Sequence, residues 1–282
     1  SSNKSDLENI ILTENTAAKF AEMSANWYGN PAKKLKILGV TGTNGKTTVT
    51  YMLKAILEAA GKKVGLIGTI KNLCGDREIP SINTTPNAYY LHGLFSEMVK
   101  EGCEYVVMEV SSQGLHLDRV GFCKFSTAVF TNLSKDHIGE NEHKDFEDYM
   151  SCKAKLFSRC KHGILNIDDK HFKDMVKDAT CTIETFGLSK EADLRAADIS
   201  LLTKPGVIGI SYNLEGIINM PVEIDIPGKF NVYNTLTAIA VCRHFTDDLE
   251  LMKKVLLDIR VRGRVEIIDV SPKFTLMVDY AH

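Results

Sequence analysis

The sequence predicts an α/β protein: a mostly parallel sheet flanked by helices, carrying a phosphate-binding loop and a small antiparallel β appendage. Three observations predict it. An apolar run at residues 35–40 leads into Gly42-Thr43-Asn44-Gly45-Lys46-Thr47-Thr48, and apolar residues at helical spacing follow. Apolar runs of strand length and helical runs then alternate, as parallel βαβ units require. After about Thr180 the runs become short and β-rich, with no helix between them.

The first 34 residues are polar and helix-like and end on the turn signal Gly29-Asn30-Pro31. Residues 35–40 read as a buried strand. Residues 46–60 read as a helix with Val49, Met52, Leu53, Ile56 and Leu57 on one face, stopped by Gly61. Residues 64–70 form a second strand, 87–101 a helix and 104–110 a third strand. Residues 125–133 and 163–167 are strands four and five, with a helix over 146–159 between them. Short strands at 182–186, 199–202, 207–212 and 222–226 make the appendage, spanning about residues 180–227. Helices at 230–245 and 249–259 follow, and the chain finishes in strand-like runs at 265–270 and 274–280.

Composition excludes several classes. With 282 residues, 44% hydrophobic and 25% charged, the chain is ordinary globular protein rather than disordered or low-complexity. Lys+Arg 34 against Asp+Glu 36 leaves a net charge of −2, so no bulk charge argues for nucleic acid or an anionic membrane. No apolar run approaches the ~20 residues that span a bilayer. Seven scattered cysteines with no C-x-x-C pair argue against a zinc ribbon or disulfide scaffold and for a reducing cytoplasm. A monomer is the working expectation.

The loop at 42–48 carries the clearest chemistry. Between a strand and a helix, small residues let successive backbone N–H groups wrap a polyphosphate, and the helix N-terminus adds partial positive charge. Lys46 is placed to bridge the β- and γ-phosphates, and the Thr47 hydroxyl to meet Mg²⁺. A full P-loop begins with Gly where Val40 stands, so this is the shortened form G-x-x-G-K-T.

The segment 40–48 resembles the loop of the Mur ligase family. Further matches follow in order: Asn83-Thr84-Thr85-Pro86, Glu109-Val110-Ser111-Ser112, Thr131-Asn132-Leu133-Ser134-Lys135-Asp136-His137, Asn231-Val232-Tyr233-Asn234, Gly263-Arg264 and Asp279-Tyr280-Ala281-His282. The Asn83-Thr84-Thr85-Pro86 and Glu109-Val110-Ser111-Ser112 segments favour the MurE type, the UDP-N-acetylmuramoyl-L-alanyl-D-glutamate ligases. The resemblance implies an ATP-dependent, ADP-forming acid–amino-acid ligase of peptidoglycan synthesis, working through an acyl phosphate. It implies that residues 35–282 are the central ATPase domain and 1–34 a remnant of, or linker from, an N-terminal UDP-binding domain. A C-terminal amino-acid-binding domain is expected to lie outside this chain, so the chain alone is expected to bind ATP without completing ligation.

Residue roles are carried over with the resemblance. Gly42, Thr43, Asn44, Gly45, Lys46, Thr47 and Thr48 would hold phosphates. Asn234, Arg264 and Asp279 would hold adenine, phosphate or ribose, and ribose. Glu109, at the end of an apolar strand, would bind Mg²⁺ with Thr47; His137 would be a second-metal ligand. Tyr149, Lys153 and Phe157 reproduce the spacing around the family's carbamylated lysine, which places that modification, and a metal-directed anion, at Lys153 rather than Lys155. Asn83, Thr84, Thr85, Ser111 and Arg119 would contact the UDP-N-acetylmuramoyl-dipeptide substrate. Thr84-Thr85-Pro86 could equally be an N-cap for the helix that follows. Three departures stand out: Gln113 replaces a common His, Leu117 replaces a usual Gln, and 137–149 is about two residues longer than usual. Alternatives are a folylpolyglutamate or cyanophycin synthetase type, or a nucleotide-binding module without catalysis.

Overall fold

The computed structural model of the chain describes residues 10–136, 138–139, 142–204, 207–264, 266–268 and 276–280. Helix α1 (Thr16–Trp27) is N-capped by Asn15, whose side chain accepts from the Ala18 amide. Then come β1 (Lys36–Thr41), α2 (Lys46–Ala59), β2 (Val64–Ile67), the hairpin β3 (Lys71–Cys74) and β4 (Arg77–Pro80), α3 (Ala88–Lys100), β5 (Tyr105–Glu109), α4 (Ser112–His116) and β6 (Phe125–Phe130). The second half holds α5 (Phe146–Ala154), β7 (Cys160–Asn166), α6 (Phe172–Val176), β8 (Thr182–Gly187), β9 (Leu194–Lys204), β10 (Val207–Gly216), β11 (Met220–Ile224), α7 (Lys229–Cys242) and α8 (Leu249–Asp258). A two-stranded pair, β12 (Glu266–Ile268) and β13 (Leu276–Val278), completes it.

One sheet runs β11-β10-β9-β8-β7-β6-β1-β5-β2-β3-β4. Every pairing from β9 across to β2 is parallel, and both edges are antiparallel. Alternation along the central strands builds two cores. Leu38, Val40, Val107 and Val129 face α2, α7 and α8; Ile37, Val106, Met108 and Phe130 face α3 and α5. A strand buried on both faces reads as a continuous apolar run, which is why β1 and β5 were legible.

The appendage is corrected in one respect. Its first strand, β8, pairs parallel with β7, and β9 pairs parallel with β8, so the region extends the main sheet and turns antiparallel only at β10 and β11. A short apolar run encodes no strand direction. The sequence reading also lacked the β3–β4 hairpin, α4 and α6, each five residues or fewer. The helix expected over 146–159 breaks into a 3₁₀ turn at Lys155–Ser158. No described helix is long and apolar enough to cross a membrane.

Candidate nucleotide site

The C-terminal ends of β1, β5 and β6 lie side by side, with Val40 opposite Glu109 and Thr41 opposite Phe130. Open α/β sheets bind ligands at this edge. The loop between β1 and α2 closes over it. Gly42 has φ +148°, and a Cβ there would overlap the Thr131 hydroxyl; Gly45 has φ +85°, and a Cβ would come within 2.6 Å of Asn234 Oδ1. Both positions therefore need glycine. Gly45 supplies no side-chain cap to α2, which leaves the first-turn N–H groups turned to the loop.

The loop is braced by the residues after β6. The Thr43 amide donates to the Asn132 carbonyl at 2.9 Å, the Asn44 amide to Asn132 Oδ1 at 3.0 Å, and Thr131 Oγ1 to the Asn44 carbonyl at 2.6 Å. Thr43 Oγ1 lies 3.0 Å from the Tyr149 hydroxyl. Lys46 Nζ curls over the loop, donating to the carbonyls of Gly42 (2.9 Å) and Thr43 (2.8 Å).

Glu109 is 1% exposed. Its carboxylate accepts from Thr47 Oγ1 at 3.1 Å, from the Thr69 amide at 2.8 Å and from Thr69 Oγ1 at 3.0 Å. Lys153 is equally buried and donates from Nζ to the Gly42 carbonyl at 3.0 Å, so two lysines converge on one oxygen. Burial lowers the pKa of Lys46, with Glu109 and Asp136 opposing. Burial, and then the neighbouring Lys46 charge, hold Lys153 well below the ordinary lysine range.

Two adjoining cavities open over this edge. One of about 250 Å³ is lined by the loop, Thr69, Thr84, Glu109 and Asp136. The other, of about 430 Å³, is lined by Asn234, Asn166, Phe230, Tyr233 and Asp279. Arg264 and Tyr280 border both, and Arg264 Nη1 donates to the Tyr280 carbonyl at 2.9 Å. A cavity of about 640 Å³ at the opposite end of β1 and β6 has neither glycine loop nor threonine–carboxylate pair. Size does not locate the chemistry here.

The profile described as Mur ligase middle domain matches residues 40–242. This chain belongs to the Mur ligase family. The UDP-N-acetylmuramoyl-L-alanyl-D-glutamate--2,6-diaminopimelate ligase of Caldanaerobacter subterraneus subsp. tengcongensis is 44% identical over 276 residues, covering 97% of this chain and 56% of that protein. The protein of that name from Clostridium perfringens is 42% identical over 280 residues, covering 97% and 57%. The chain thus spans just over half the length of these curated relatives. A solved structure of a ligase of the same name superposes with a TM-score of 0.85 at 27% identity, over 98% of this chain and 57% of that one. Mycobacterium tuberculosis folylpolyglutamate synthase, at 16% identity, shares the fold, with a TM-score of 0.75 over 94% of this chain and 67% of that one.

In this family member the phosphate-loop residues, Thr47, Glu109 and Lys153 come together at one edge, with Asn234, Arg264 and Asp279 beside them. His137 lies outside the described residues. The muramoyl-side set divides. Asn83 is exposed, Thr84 is half-buried and hydrogen-bonds Thr69, and Arg119 Nη1 donates to the Thr85 carbonyl at 3.0 Å. Thr85 is buried, its hydroxyl donating to the Glu109 carbonyl and accepting from the Ser111 amide. Ser111 Oγ caps α4. The cap of α3 is Asn87, not a threonine of the preceding pair. Sequence reasoning gave no role to Thr69, Thr131 or Asn132. Their signal was position: each closely follows an apolar run that ends at the same sheet edge.

Proposed function

We propose that this chain is the ATP-binding centre of an ADP-forming ligase that joins diaminopimelate, as the third stem-peptide residue, to UDP-N-acetylmuramoyl-L-alanyl-D-glutamate. One observation carries the reading: the Lys46 ammonium sits over a glycine loop whose next residue, Thr47, hydrogen-bonds a buried glutamate. ATP fits, because its polyphosphate matches the α2 N-terminus, the loop amides beyond those of Thr43 and Asn44 that Asn132 holds, and Lys46. Residues 35–282 are then the ATPase domain, with 1–34 leading from a UDP-binding domain. The amino-acid-binding domain lies outside these residues. A reducing cytoplasm suits seven cysteines that are all unpaired.

The reaction is transfer of the γ-phosphoryl to the D-glutamyl carboxylate, releasing ADP, then attack of an amine that expels phosphate. The chain's part is positioning and charge neutralisation. Lys46 holds the phosphates, Asn234, Arg264 and Asp279 hold the nucleoside end, and Thr84 and Arg119 border the acceptor side. Mg²⁺ fits an all-oxygen donor set, the Thr47 hydroxyl and Glu109 carboxylate. When bound, it neutralises charge on the transferring phosphoryl. Calorimetry tests the reading: ATP–Mg²⁺ is expected to bind one per chain, and UDP-N-acetylmuramoyl-L-Ala-D-Glu to bind the loaded chain. ATP binding without the dipeptide favours a bare nucleotide module; no ATP binding overturns the proposal.

Lys153 is the carbamylated residue in this reading. Its buried amine loses its proton unusually easily, and the neutral amine is the form that attacks CO₂. The nitrogen lone pair forms the N–C bond, one C–O π pair moves to oxygen, and the displaced proton goes to water. The resulting anion lies beside Lys46. Acid protonates the amine and reverses the addition. In ¹³C-bicarbonate, one carbamate resonance is expected at neutral pH, fading on acidification and missing in Lys153→Met. A neutral-pH spectrum without it removes the assignment.

A further inference from the structure

We propose that His116, His143, Asp148 and Cys152 form a binding site for a zinc-class divalent cation that staples α4 to α5. The site is separate from the nucleotide edge and does not depend on the function proposed above. One ligand atom from each residue lies within 4.8 Å of the others. Cys152 Sγ is 3.5 Å from His116 Nδ1 and 3.9 Å from an Asp148 oxygen, and His143 Nδ1 is 2.9 Å from the other Asp148 oxygen. A tetrahedron with bonds of ~2.0–2.3 Å has ligand–ligand edges of roughly 3.3–3.8 Å. The Cys152–His116 edge already lies in that range, the Cys152–Asp148 edge must shorten slightly, and, for ligation through Nδ1, the His143–Asp148 edge must lengthen by a few tenths of an ångström.

Three features favour a cation over a plain hydrogen-bonded cluster. His143 is 0% exposed; its Nδ1 is taken by Asp148 and its Nε2 has no hydrogen-bond partner among the described residues, so a cation on Nε2 would satisfy an atom that burial otherwise leaves unpaired. Asp148 and Cys152 are four residues apart on α5, so both project from one face toward His116 at the end of α4. The donor set of two imidazoles, a thiol and a carboxylate suits zinc or cobalt and discriminates against magnesium, which prefers oxygen throughout. The Thr47–Glu109 pair has the opposite preference.

The position gives the staple a consequence. Helix α4 follows directly on the strand that ends in Glu109, and α5 carries Lys153 one residue after Cys152. A cation between the helices fixes the spacing of the two elements that deliver those groups.

Cobalt substitution tests this on the reduced, chelator-stripped chain, with excess Mg²⁺ occupying any all-oxygen site. One Co²⁺ per chain is expected, with a sulfur-to-cobalt charge-transfer band and the intense visible bands of tetrahedral cobalt, both erased by Zn²⁺. Cys152→Ser should abolish the charge-transfer band and weaken zinc binding by ~10- to 100-fold, while Cys160→Ser, on β7, retains both. Should Cys152→Ser fail to fold by circular dichroism, His116→Ala at the exposed end of α4 takes its place, with the same loss of affinity expected. No cobalt binding, binding without the band, a band that survives Cys152→Ser, or unchanged affinity in His116→Ala each overturns the site.

Discussion

Replacing Lys46 by Met is expected to weaken ATP–Mg²⁺ binding by about 10- to 100-fold while leaving the chain folded. A hydrogen bond to a charged partner contributes ~1.5–3 kcal/mol, and ~1.4 kcal/mol is tenfold in affinity. Lys46 supplies such a group from inside the loop, its Nζ bonded to the carbonyls of Gly42 and Thr43. The fold should not suffer. Lys46 is half-buried, burial disfavours its charged form, and Lys153 meets it at the Gly42 carbonyl. In CO₂-free buffer, where Lys153 is the free amine, removing one of two groups that converge on the Gly42 carbonyl relieves repulsion, so the melting temperature of the nucleotide-free variant should equal or exceed the parent's. Calorimetry and thermal melting together decide: unchanged affinity would remove Lys46 from the phosphate site, and an unfolded variant would show that its role is structural.

Gly42→Ala should do the reverse, costing stability and binding together. The added Cβ meets the Thr131 hydroxyl and then the Asn132 backbone carbonyl at 3.1 Å, at a φ of +148°. Backbone strain of ~1–3 kcal/mol and overpacking of ~1–3 kcal/mol put the loss at roughly 2–6 kcal/mol. At about 2–4 °C per kcal/mol for a chain of this size, the melting temperature should fall by ~4–24 °C. Thr131→Ala alone should cost ~1 kcal/mol, because Thr131 Oγ1 holds the Asn44 carbonyl at 2.6 Å. In the double variant the nearest obstacle is gone, so the combined loss should be smaller than the sum of the two. Strict additivity would mean that Thr131 is not what excludes a side chain at position 42.

Legibility followed the range of the interactions involved. β1, the loop and α2 were readable because hydrophobic period, glycine and lysine lie within about 25 consecutive residues of the sequence. Glu109 could be singled out because an apolar strand ends on a charge. The direction of β8 could not, since its neighbours β7 and β9 decide it and its own residues do not. The β3–β4 hairpin was hidden because its strands have four residues each, too few for a period to show in the sequence, and β4 is mostly exposed. Cys152 and His116 stand 36 positions apart and match no ligand spacing; two helices bring them together.

The sequence by itself determined the local chemistry: an amide-rich turn at a helix start, an ammonium after it, and a hydroxyl next to that. These come from consecutive residues and need only backbone geometry. Tertiary structure alone decided which distant groups face that turn. Lys153 reaches the Gly42 carbonyl across 111 positions, and Thr69 crosses 40 to hold Glu109. The cause is the parallel sheet, which gathers the ends of β1, β2, β5 and β6 at one edge whatever their separation along the chain. That register is set by burial on both faces, a property of the packed sheet that no single segment contains.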